Sequence, residues 1–366
     1  MKKAYIALLT FIFILEIPVT AKNYRFVIGT FTTNTSAQGI YSLTINMTDT
    51  THRLKLAAPI IDPSFLALSN KNKLVYAVSE RGEKSSVCAY RFDKKLSTLK
   101  LINTQQAGSA TDPCHIAATP HHVVTANYSG GSVFVYPRLA DGSLGSNVQE
   151  VQHTGSSINP TRQTKPHVHQ VSFSPDNKFL LVNDLGTDML TVYRYLKSNT
   201  NPLVAFDTLR LKAGSGPRHL TFDKSGKLIY LLHELDGSLS TIRFDSGKLT
   251  LIDTTSVVRK AAMQAGAADI HLSPDGKYLY ATNRGNANDI TCFKTSVSGR
   301  LSFVQQVSVE GLGPRNFVIT NDGKYLLVGN QWTNNMTIFE RNTSTGKLQF
   351  TGKKISLGAP VCLLEY

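Results

Sequence analysis

The sequence lacks most of the features that mark metal-binding, redox, nucleotide-binding and helical proteins. Its four cysteines include no Cys-x-x-Cys pair, which argues against a zinc or thioredoxin-type site. No segment beyond the N-terminal region repeats apolar residues at the spacing of an amphipathic helix. A phosphate-binding loop, a dinucleotide fingerprint and a low-complexity linker are missing as well. We therefore expect one β-rich domain with no cofactor and no metal.

The few cysteines all lie within apolar, strand-like runs, at Cys88, Cys114, Cys292 and Cys362. Four cysteines allow three disulfide pairings in an oxidising compartment. Because apolar residues surround each of them, we expect buried free thiols.

The formal net charge of +14 is high but is not concentrated along the chain. Many of the lysines fall at predicted turns, as at Lys178, Lys227, Lys277 and Lys324. A nucleic-acid-binding surface would need a basic stripe with interleaved aromatic residues, which the sequence does not contain. The charge predicts only an attraction for acidic small molecules or anionic envelope surfaces.

The N-terminus has the pattern of a secretory signal peptide. A short basic start precedes the apolar residues 4–15, and small residues follow Pro18 up to Ala21. The apolar run is too short for a comfortable membrane span, although an uncleaved anchor helix is the alternative. We expect cleavage after about Ala21 and an exported protein, periplasmic or extracellular, whose residues 22–366 form a single domain.

The rest of the chain repeats one unit. An apolar-alternating strand, a Pro/Asp/Gly turn and a second apolar strand recur at residues 168–181, 217–230, 267–280 and 314–327. The repeats start about 50 residues apart. Including weaker copies, the starts are Pro63, Pro113, Pro166, Pro217, Ala267, Pro314 and Pro360. Seven four-stranded units of this kind predict an all-β, seven-bladed β-propeller.

The two chain ends predict how the ring closes. Only one strand fits after Pro360, whereas residues 24–30 and 40–45 look like strands that lack a first strand of their own. We expect the N- and C-terminal strands to pair within one blade. An open solenoid is the alternative, but it would need capping ends that the sequence does not contain.

Several motifs resemble the lactonase family of seven-bladed β-propellers, which includes 6-phosphogluconolactonases and carboxy-muconate lactonising enzymes. The resemblance covers about residues 24–366. The most specific motifs are Pro166-His-Val-His169, Asn183-Asp-Leu-Gly186, Gly216-Pro-Arg-His219, His233-Glu-Leu235 and Thr282-Asn-Arg284, with support from the motifs at Asn127 and Gly313. In that family a histidine, a glutamate and two arginines at these motifs are the proposed active residues. Because the chain carries an export signal, we expect a lactone different from the one that cytosolic relatives meet.

Aligning the repeats brings unlike polar residues to one rim of the ring. The candidate catalytic residues are Glu234, His169, Arg218 and Arg284. The candidate substrate-binding residues are His167, Asp184, His219, Arg315, Asn127 and Gln331. A repeat that served only packing would place similar residues at equivalent positions. The divergence therefore predicts a site at the mouth of the central channel.

These residue types suit lactone opening, which needs a base, donors for the oxyanion and an acid for the leaving alkoxide. Glu234 is the candidate base or carboxylate partner of the arginines. Arg218 and Arg284 suit the carbonyl oxygen or a substrate carboxylate. His169 or His167 is the candidate proton donor, because an unperturbed imidazole titrates near neutrality.

Structural roles compete with these assignments. Glu234 and Arg218 would also make a structural ion pair, His115 and His219 suit supporting roles, and Asp184 suits binding of turn N–H groups. A metal site at His167, His169 and Asp184 is an alternative that we do not favour, although imidazole and carboxylate groups suit several divalent ions.

The leading functional hypothesis is a hydrolase of a small acidic sugar lactone. We expect a monomer whose partner is the small anionic lactone or a related acid, with no nucleic-acid partner and no integral membrane span. A lactonising isomerase acting on unsaturated dicarboxylates is the second hypothesis, favoured by the second arginine. A non-catalytic exported scaffold is the third, since a propeller fold does not imply a function.

Overall fold

The computed structural model describes residues 22–69, 73–198, 200–260 and 263–366, so the predicted signal peptide lies outside the described residues. Almost all regular structure in this part of the chain is β-strand. The first fourteen strands are β1 Asn23–Thr30, β2 Gly39–Asn46, β3 His52–Pro59, β4 Leu66–Ser69, β5 Leu74–Ser79, β6 Ser86–Asp93, β7 Thr98–Gln106, β8 Pro113–Ala118, β9 His122–Asn127, β10 Ser132–Pro137, β11 Gln149–Gln152, β12 Val168–Phe173, β13 Phe179–Asp184 and β14 Met189–Tyr195.

The remaining strands continue the same pattern to the C-terminus. They are β15 Leu203–Arg210, β16 Pro217–Phe222, β17 Leu228–His233, β18 Ser238–Asp245, β19 Lys248–Ser256, β20 Ala267–Leu272, β21 Tyr278–Asn283, β22 Asp289–Thr295, β23 Leu301–Ser308, β24 Pro314–Ile319, β25 Tyr325–Asn330, β26 Asn335–Arg341, β27 Leu348–Ser356 and β28 Pro360–Glu365. One 3₁₀ turn, Gly82–Lys84, is the only helical element among the described residues. None of those residues form a helix long and apolar enough to cross a membrane.

The strands form seven antiparallel sheets of four, which confirms the seven-bladed propeller. Blades 1 to 6 are the consecutive groups β4–β7, β8–β11, β12–β15, β16–β19, β20–β23 and β24–β27. The seventh, called the closing blade here, has the order β28-β1-β2-β3. The C-terminal β28 therefore pairs antiparallel with the N-terminal β1, as the two chain ends predict.

The second strand of each blade shows why the sequence folds this way. Every residue of β5, β9, β13, β17 and β21 is buried, because both faces of a blade pack against neighbouring blades. The sequences of these strands are accordingly nearly continuous runs of apolar residues. Tight turns connect the first strand to the second, as at Ser273, whose hydroxyl accepts a hydrogen bond from the Tyr278 N–H at 3.0 Å. Gly276 in that turn has a φ of +75°, which a residue with a side chain rarely adopts.

The apolar core of the described residues consists of seven clusters, each lying between two adjacent blades. One of them joins the closing blade to blade 6 through Phe26, Ile28, Leu327 and Leu363. The core is thus a ring of packed interfaces. All four cysteines are buried free thiols, as expected. Cys88, Cys292 and Cys362 lie within these clusters, whereas Cys114 lies outside them.

The innermost strands share a feature that shapes the channel mouth. In β8, β12, β16, β20 and β24 the pairing with the second strand shifts directly after the first residue. Such a bulge leaves a residue unpaired and redirects its side chain. The residues at these bulges are Cys114, His169, Arg218, Ala268 and Arg315.

We predict that Leu363→Ala lowers the free energy of unfolding by about 2–5 kcal/mol, because it opens a cavity at the interface that closes the ring. Leu363 is only 2% exposed and lies on β28. Denaturant unfolding followed by fluorescence measures the change. Leu101→Ala is the control, since the same chemical change at a 51% exposed strand position should cost about 0.5 kcal/mol or less. Equal effects of the two substitutions would contradict a stabilising role for the closing blade.

Candidate active site

A polar cavity of about 320 Å³ lies at the rim where the innermost strands begin. Its lining combines residues from the strand bulges, residues that directly follow the second strands, and one residue from the connection between β11 and β12. The eight lining residues are Glu80, Cys114, Tyr128, Arg162, His169, Glu234, Arg284 and Arg315. Blades 1 to 6 thus contribute unlike side chains to one cavity, which is the arrangement that the aligned repeats predict.

Glu234 is the centre of the charged groups in this cavity. Its Oε1 accepts a hydrogen bond from Arg162 Nη2 at 2.8 Å. Its Oε2 accepts from Arg218 Nε at 2.9 Å and lies 2.9 Å from Arg284 Nη2. The carboxylate side chain is only 9% exposed. We call Glu234 and these three arginines the arginine clamp.

The clamp keeps Glu234 ionised. Burial alone would raise the pKa of Glu234, but the positive charges of Arg284, Arg218 and Arg162 hold it well below its usual range. A carboxylate with such a low pKa and both oxygens occupied by guanidinium groups is a weak proton acceptor. The geometry therefore favours Glu234 as the carboxylate partner of the arginines over Glu234 as the base.

His169 is the imidazole nearest to the clamp. Its Nε2 lies 3.9 Å from Glu234 Oε2, and its Nδ1 lies 4.0 Å from Cys114 Sγ. Burial, followed by the charges of neighbouring arginines such as Arg218 and Arg315, lowers the pKa of His169 well below its usual value. The predicted role of proton donor rested on a pKa near neutrality. The structure instead makes His169 neutral at pH 7, so it can accept a proton but is not the predicted proton donor. The same low pKa makes it a weak base as long as no anion is bound in the cavity.

The two predicted catalytic arginines have different positions. Arg218 is 1% exposed, and its Nη1 donates to the Ala268 carbonyl. It therefore holds Glu234 in place but does not line the cavity. Arg284 lines the cavity, and its Nε donates to the Gly266 carbonyl at 3.1 Å. Of the two predicted arginines, only Arg284 is therefore placed to reach a ligand while it also contacts Glu234.

Arg315 lines the opposite part of the cavity and lies outside the clamp. Its guanidinium stacks over the Phe31 ring at 5.0 Å from the ring centroid. It has no carboxylate within 4.0 Å in the described part of the chain. This cation is therefore available for an anionic ligand, in line with the predicted substrate-binding role.

Arg162 was not among the predicted residues. It comes from the long connection between β11 and β12, where Asn159 Oδ1 accepts hydrogen bonds from the N–H groups of Thr161 and Arg162. Gln163 anchors this loop by donating to the Leu185 carbonyl at 2.9 Å. The repeat alignment does not contain the loop, so comparison of blades could not find Arg162. The unusual length of the connection at the rim that carries the site was the available signal.

The predicted alignment of Asp184 with Glu234 is wrong by one residue. Val168 pairs with Asp184 just as Pro217 pairs with His233, so Leu185 is the residue equivalent to Glu234. A shift of one residue along a strand reverses the direction of the side chain. Asp184 is fully buried and accepts hydrogen bonds from the N–H groups of His167 and Gly186 and from His153. It therefore binds backbone N–H groups, which was the alternative interpretation.

Three other predicted substrate-binding residues also lie outside the cavity lining. His167 stacks on the Tyr128 ring with centroids 4.4 Å apart, and its Nδ1 lies 3.0 Å from the Tyr128 carbonyl oxygen. Asn127 is fully buried and donates to the Ser132 hydroxyl at 3.1 Å. Gln331 follows β25 but does not line the cavity. Of the three, His167 and Asn127 hold the Tyr128 segment in place.

His219 belongs to a buried network deeper in the channel. Its Nδ1 lies 2.8 Å from Asp269 Oδ1, and Asp269 Oδ2 also contacts His271 at 2.8 Å and Asn316 at 2.6 Å. The ring of His219 lies 5.3 Å from that of His169, centroid to centroid. These contacts join the innermost strands of blades 4, 5 and 6. His219 therefore packs against the ring of His169 and does not line the cavity.

Comparison with known proteins identifies relatives over nearly the whole chain. The family model "Lactonase, 7-bladed beta-propeller" matches residues 25–365. A 6-phosphogluconolactonase of Bacillus subtilis is 34% identical, covering 92% of this chain and 96% of that protein. A 6-phosphogluconolactonase of Formosa agariphila is 35% identical, covering 88% and 94%. The solved structure of a periplasmic gluconolactonase of Pseudomonas aeruginosa has a TM-score of 0.89 at 32% identity, covering 94% of this chain and 99% of that one.

We predict that Glu234→Gln lowers the free energy of unfolding at pH 7 by about 3–5 kcal/mol, because it leaves three arginines without their common partner. The pKa of Glu234 is depressed in the folded state, so its contribution is complete above the unfolded pKa of about 4.3. The difference between the two proteins should therefore shrink as the pH falls below about 4. Denaturant unfolding between pH 3 and pH 7 measures it.

Glu150→Gln is the matched control for this prediction. Glu150 is exposed on β11, and within the described part of the chain its carboxylate accepts a hydrogen bond from the Ser109 hydroxyl at 3.3 Å. Its substitution should change stability by about 0.5 kcal/mol or less. A Glu234→Gln protein as stable as the control at pH 7 would show that the clamp does not stabilise the fold.

Proposed function

The chain belongs to the lactonase family of seven-bladed β-propellers, and on that basis we propose that it hydrolyses a small, acidic sugar lactone in the cavity at the channel mouth. The observation that carries this proposal is the pairing of a neutral, buried imidazole with guanidinium groups in one polar cavity that is open to solvent. His169 supplies the imidazole, and Arg284 and Arg315 supply cations that reach the same cavity.

The first step of the proposed reaction is attack of water on the ester carbonyl. His169 accepts a proton from the attacking water, because its imidazole is neutral at pH 7 and faces the cavity. The Oε2 of Glu234 lies 3.9 Å from His169 Nε2, so the negative charge of Glu234 stabilises the imidazolium that forms. In this scheme Glu234 stabilises the charge of the base and does not itself take the proton.

The second requirement is stabilisation of the tetrahedral oxyanion. Arg284 is held in place by Glu234 and by the Gly266 carbonyl, so its remaining N–H groups are fixed before the substrate arrives. Donors that are already oriented cost no reorganisation during the reaction. We assign the oxyanion to Arg284, with Arg162 as a second donor from the loop between β11 and β12.

The charge of the cavity favours an acidic substrate. Arg315 has a free guanidinium that suits the carboxylate or phosphate of a sugar acid lactone. A bound anion would also offset the positive potential that lowers the pKa of His169. The imidazole would then become a stronger base only when an acidic substrate is present, which couples recognition to catalysis.

The proposal is tested first with glucono-δ-lactone and phosphorylated gluconolactones, the substrates that the names of the relatives suggest. We expect the protein of residues 22–366 to open at least one of them, as measured by acid release. His169→Gln should reduce kcat by about 10²–10⁴-fold, the usual contribution of a general base. Arg284→Ala should reduce it by about 10²–10³-fold, the usual cost of one oxyanion donor.

His167→Gln is the matched control, because the two histidines are separated by one residue but only His169 lines the cavity. It should leave kcat within about tenfold of the unsubstituted protein. Absence of turnover on every lactone by a folded protein would reject the hydrolase. Formation of lactone from an open-chain unsaturated dicarboxylate would then support the lactonising isomerase.

We propose separately that the protein is exported, on the basis of the N-terminal sequence alone. We expect removal of a signal peptide after about Ala21, since the basic start, apolar run and small residues suit signal peptidase. Intact-mass analysis of the protein from fractionated cells measures the processed N-terminus. An unprocessed chain retained in the cytoplasmic fraction would contradict export.

A further inference from the structure

The cavity contains a second acidic residue, Glu80, that the scheme above does not use. The N–H of Glu80 donates to the Asp62 carbonyl at 3.1 Å, and the N–H of Glu234 makes the same bond to the Gly216 carbonyl at 2.7 Å. The two glutamates therefore occupy equivalent positions, directly after the second strands of blades 1 and 4. Both line the cavity.

The two glutamates differ in the charged groups that surround them. Glu234 contacts three guanidinium groups, whereas Glu80 has no ion pair within 4.0 Å in the described part of the chain. The Oε2 of Glu80 is enclosed and has no hydrogen-bond partner among the described residues. Two carboxyl groups in one site whose environments differ in this way suit different roles, one as a permanent carboxylate and the other as a group that holds and gives a proton.

We propose that Glu80 is the general acid that protonates the leaving alkoxide when the lactone ring opens. This inference rests on the proposed lactone hydrolysis at the same cavity. It assigns to a residue of blade 1 the step that the sequence had assigned to a histidine.

Burial supports this role by raising the pKa of Glu80. The charged and titratable groups that face it are Arg315 from β24, Cys114 from β8, and Asp62 and Asp112 from the adjoining loops. Arg315 and the nearby Ser64 hydroxyl lower the pKa of Glu80, while Asp112 and Asp62 raise it, and burial is the largest effect. Glu80 therefore retains its proton to a higher pH than an exposed glutamate, and it acts in the protonated form.

The step balances without any co-reactant. His169 takes one proton from water as the C–O bond to hydroxide forms. When the ring C–O bond breaks, Glu80 gives one proton to the departing ring oxygen and becomes a carboxylate. The imidazolium then loses a proton and the carboxylate regains one through solvent as the product leaves. One ester and one water thus give one acid and one alcohol.

The test compares two lactones whose leaving groups differ in basicity. Glucono-δ-lactone expels an alkoxide, which needs protonation, whereas dihydrocoumarin expels a phenolate, whose conjugate acid has a pKa of about 10. Glu80→Gln should reduce kcat/KM for glucono-δ-lactone by about 10²–10⁴-fold and for dihydrocoumarin by less than about tenfold. An equal loss on both lactones would overturn the assignment and leave Glu80 as a counter-ion of Arg315.

The pH profile gives a second readout that does not depend on dihydrocoumarin. For the unsubstituted protein, kcat/KM for glucono-δ-lactone should fall on the alkaline side as Glu80 loses its proton. Glu80→Gln should abolish that limb, and Glu80→Asp, which keeps a carboxyl group, should retain it at a reduced rate. Survival of the same alkaline limb in Glu80→Gln would contradict the proposal.

The controls separate this inference from the proposed function. Arg315→Met should raise KM for a phosphorylated gluconolactone more than for the uncharged glucono-δ-lactone, because it removes a cation that binds the anionic group. Thermal unfolding of each variant shows whether it is folded. Absence of lactone turnover by the unsubstituted protein would reject the hydrolase itself, whereas turnover that is insensitive to Glu80→Gln would reject only the role of Glu80.

Discussion

The site depends on one interaction, the contact of the Glu234 carboxylate with three guanidinium groups. Arg218 comes from the same blade, Arg284 from the next blade, and Arg162 from the loop that precedes blade 3. Without this anion, Arg162, Arg284 and Arg315 would line a cavity of about 320 Å³ with the buried Arg218 beside them and no carboxylate to pair with the clamp. The charges of the clamp explain why Glu234 is ionised and why Arg284 is fixed. Burial together with the same arginine charges keeps His169 neutral.

The propeller supplies this arrangement by repeating its backbone while varying its side chains. The same bulge recurs in the innermost strands of blades 2 to 6, so cysteine, histidine and arginine are directed to equivalent places around the axis. The interfaces between blades stay uniformly apolar, because stability depends on them. Stability and function are thus assigned to different parts of each blade, and residues at the rim can differ without loss of packing.

Much of this arrangement could be predicted from the sequence, because the repeated pattern of strands and turns indicates the backbone structure of each blade. The number of blades, the pairing of the chain ends, and the joint location of Glu234, His169, Arg284 and Arg315 all follow from aligning the units. The placement of Asp184 failed because its motif could be aligned in two registers, and strand pairing alone distinguishes them. Arg162 was missed because it lies outside the repeat. The protonation of His169 could not be predicted, since it depends on burial and on charges from other blades.

The pairing of β28 with β1 has a consequence for how the molecule is made. The closing blade contains residues near both ends of the chain, 23–59 and 360–365, so this sheet is incomplete until the last strand has been synthesised. Until then, β1 presents an unpaired edge, which is a ready template for pairing with another chain. The interval between synthesis of the first and last strands is therefore the time at which the protein is most exposed to misassembly, and a chaperone that covered this edge would act on it there.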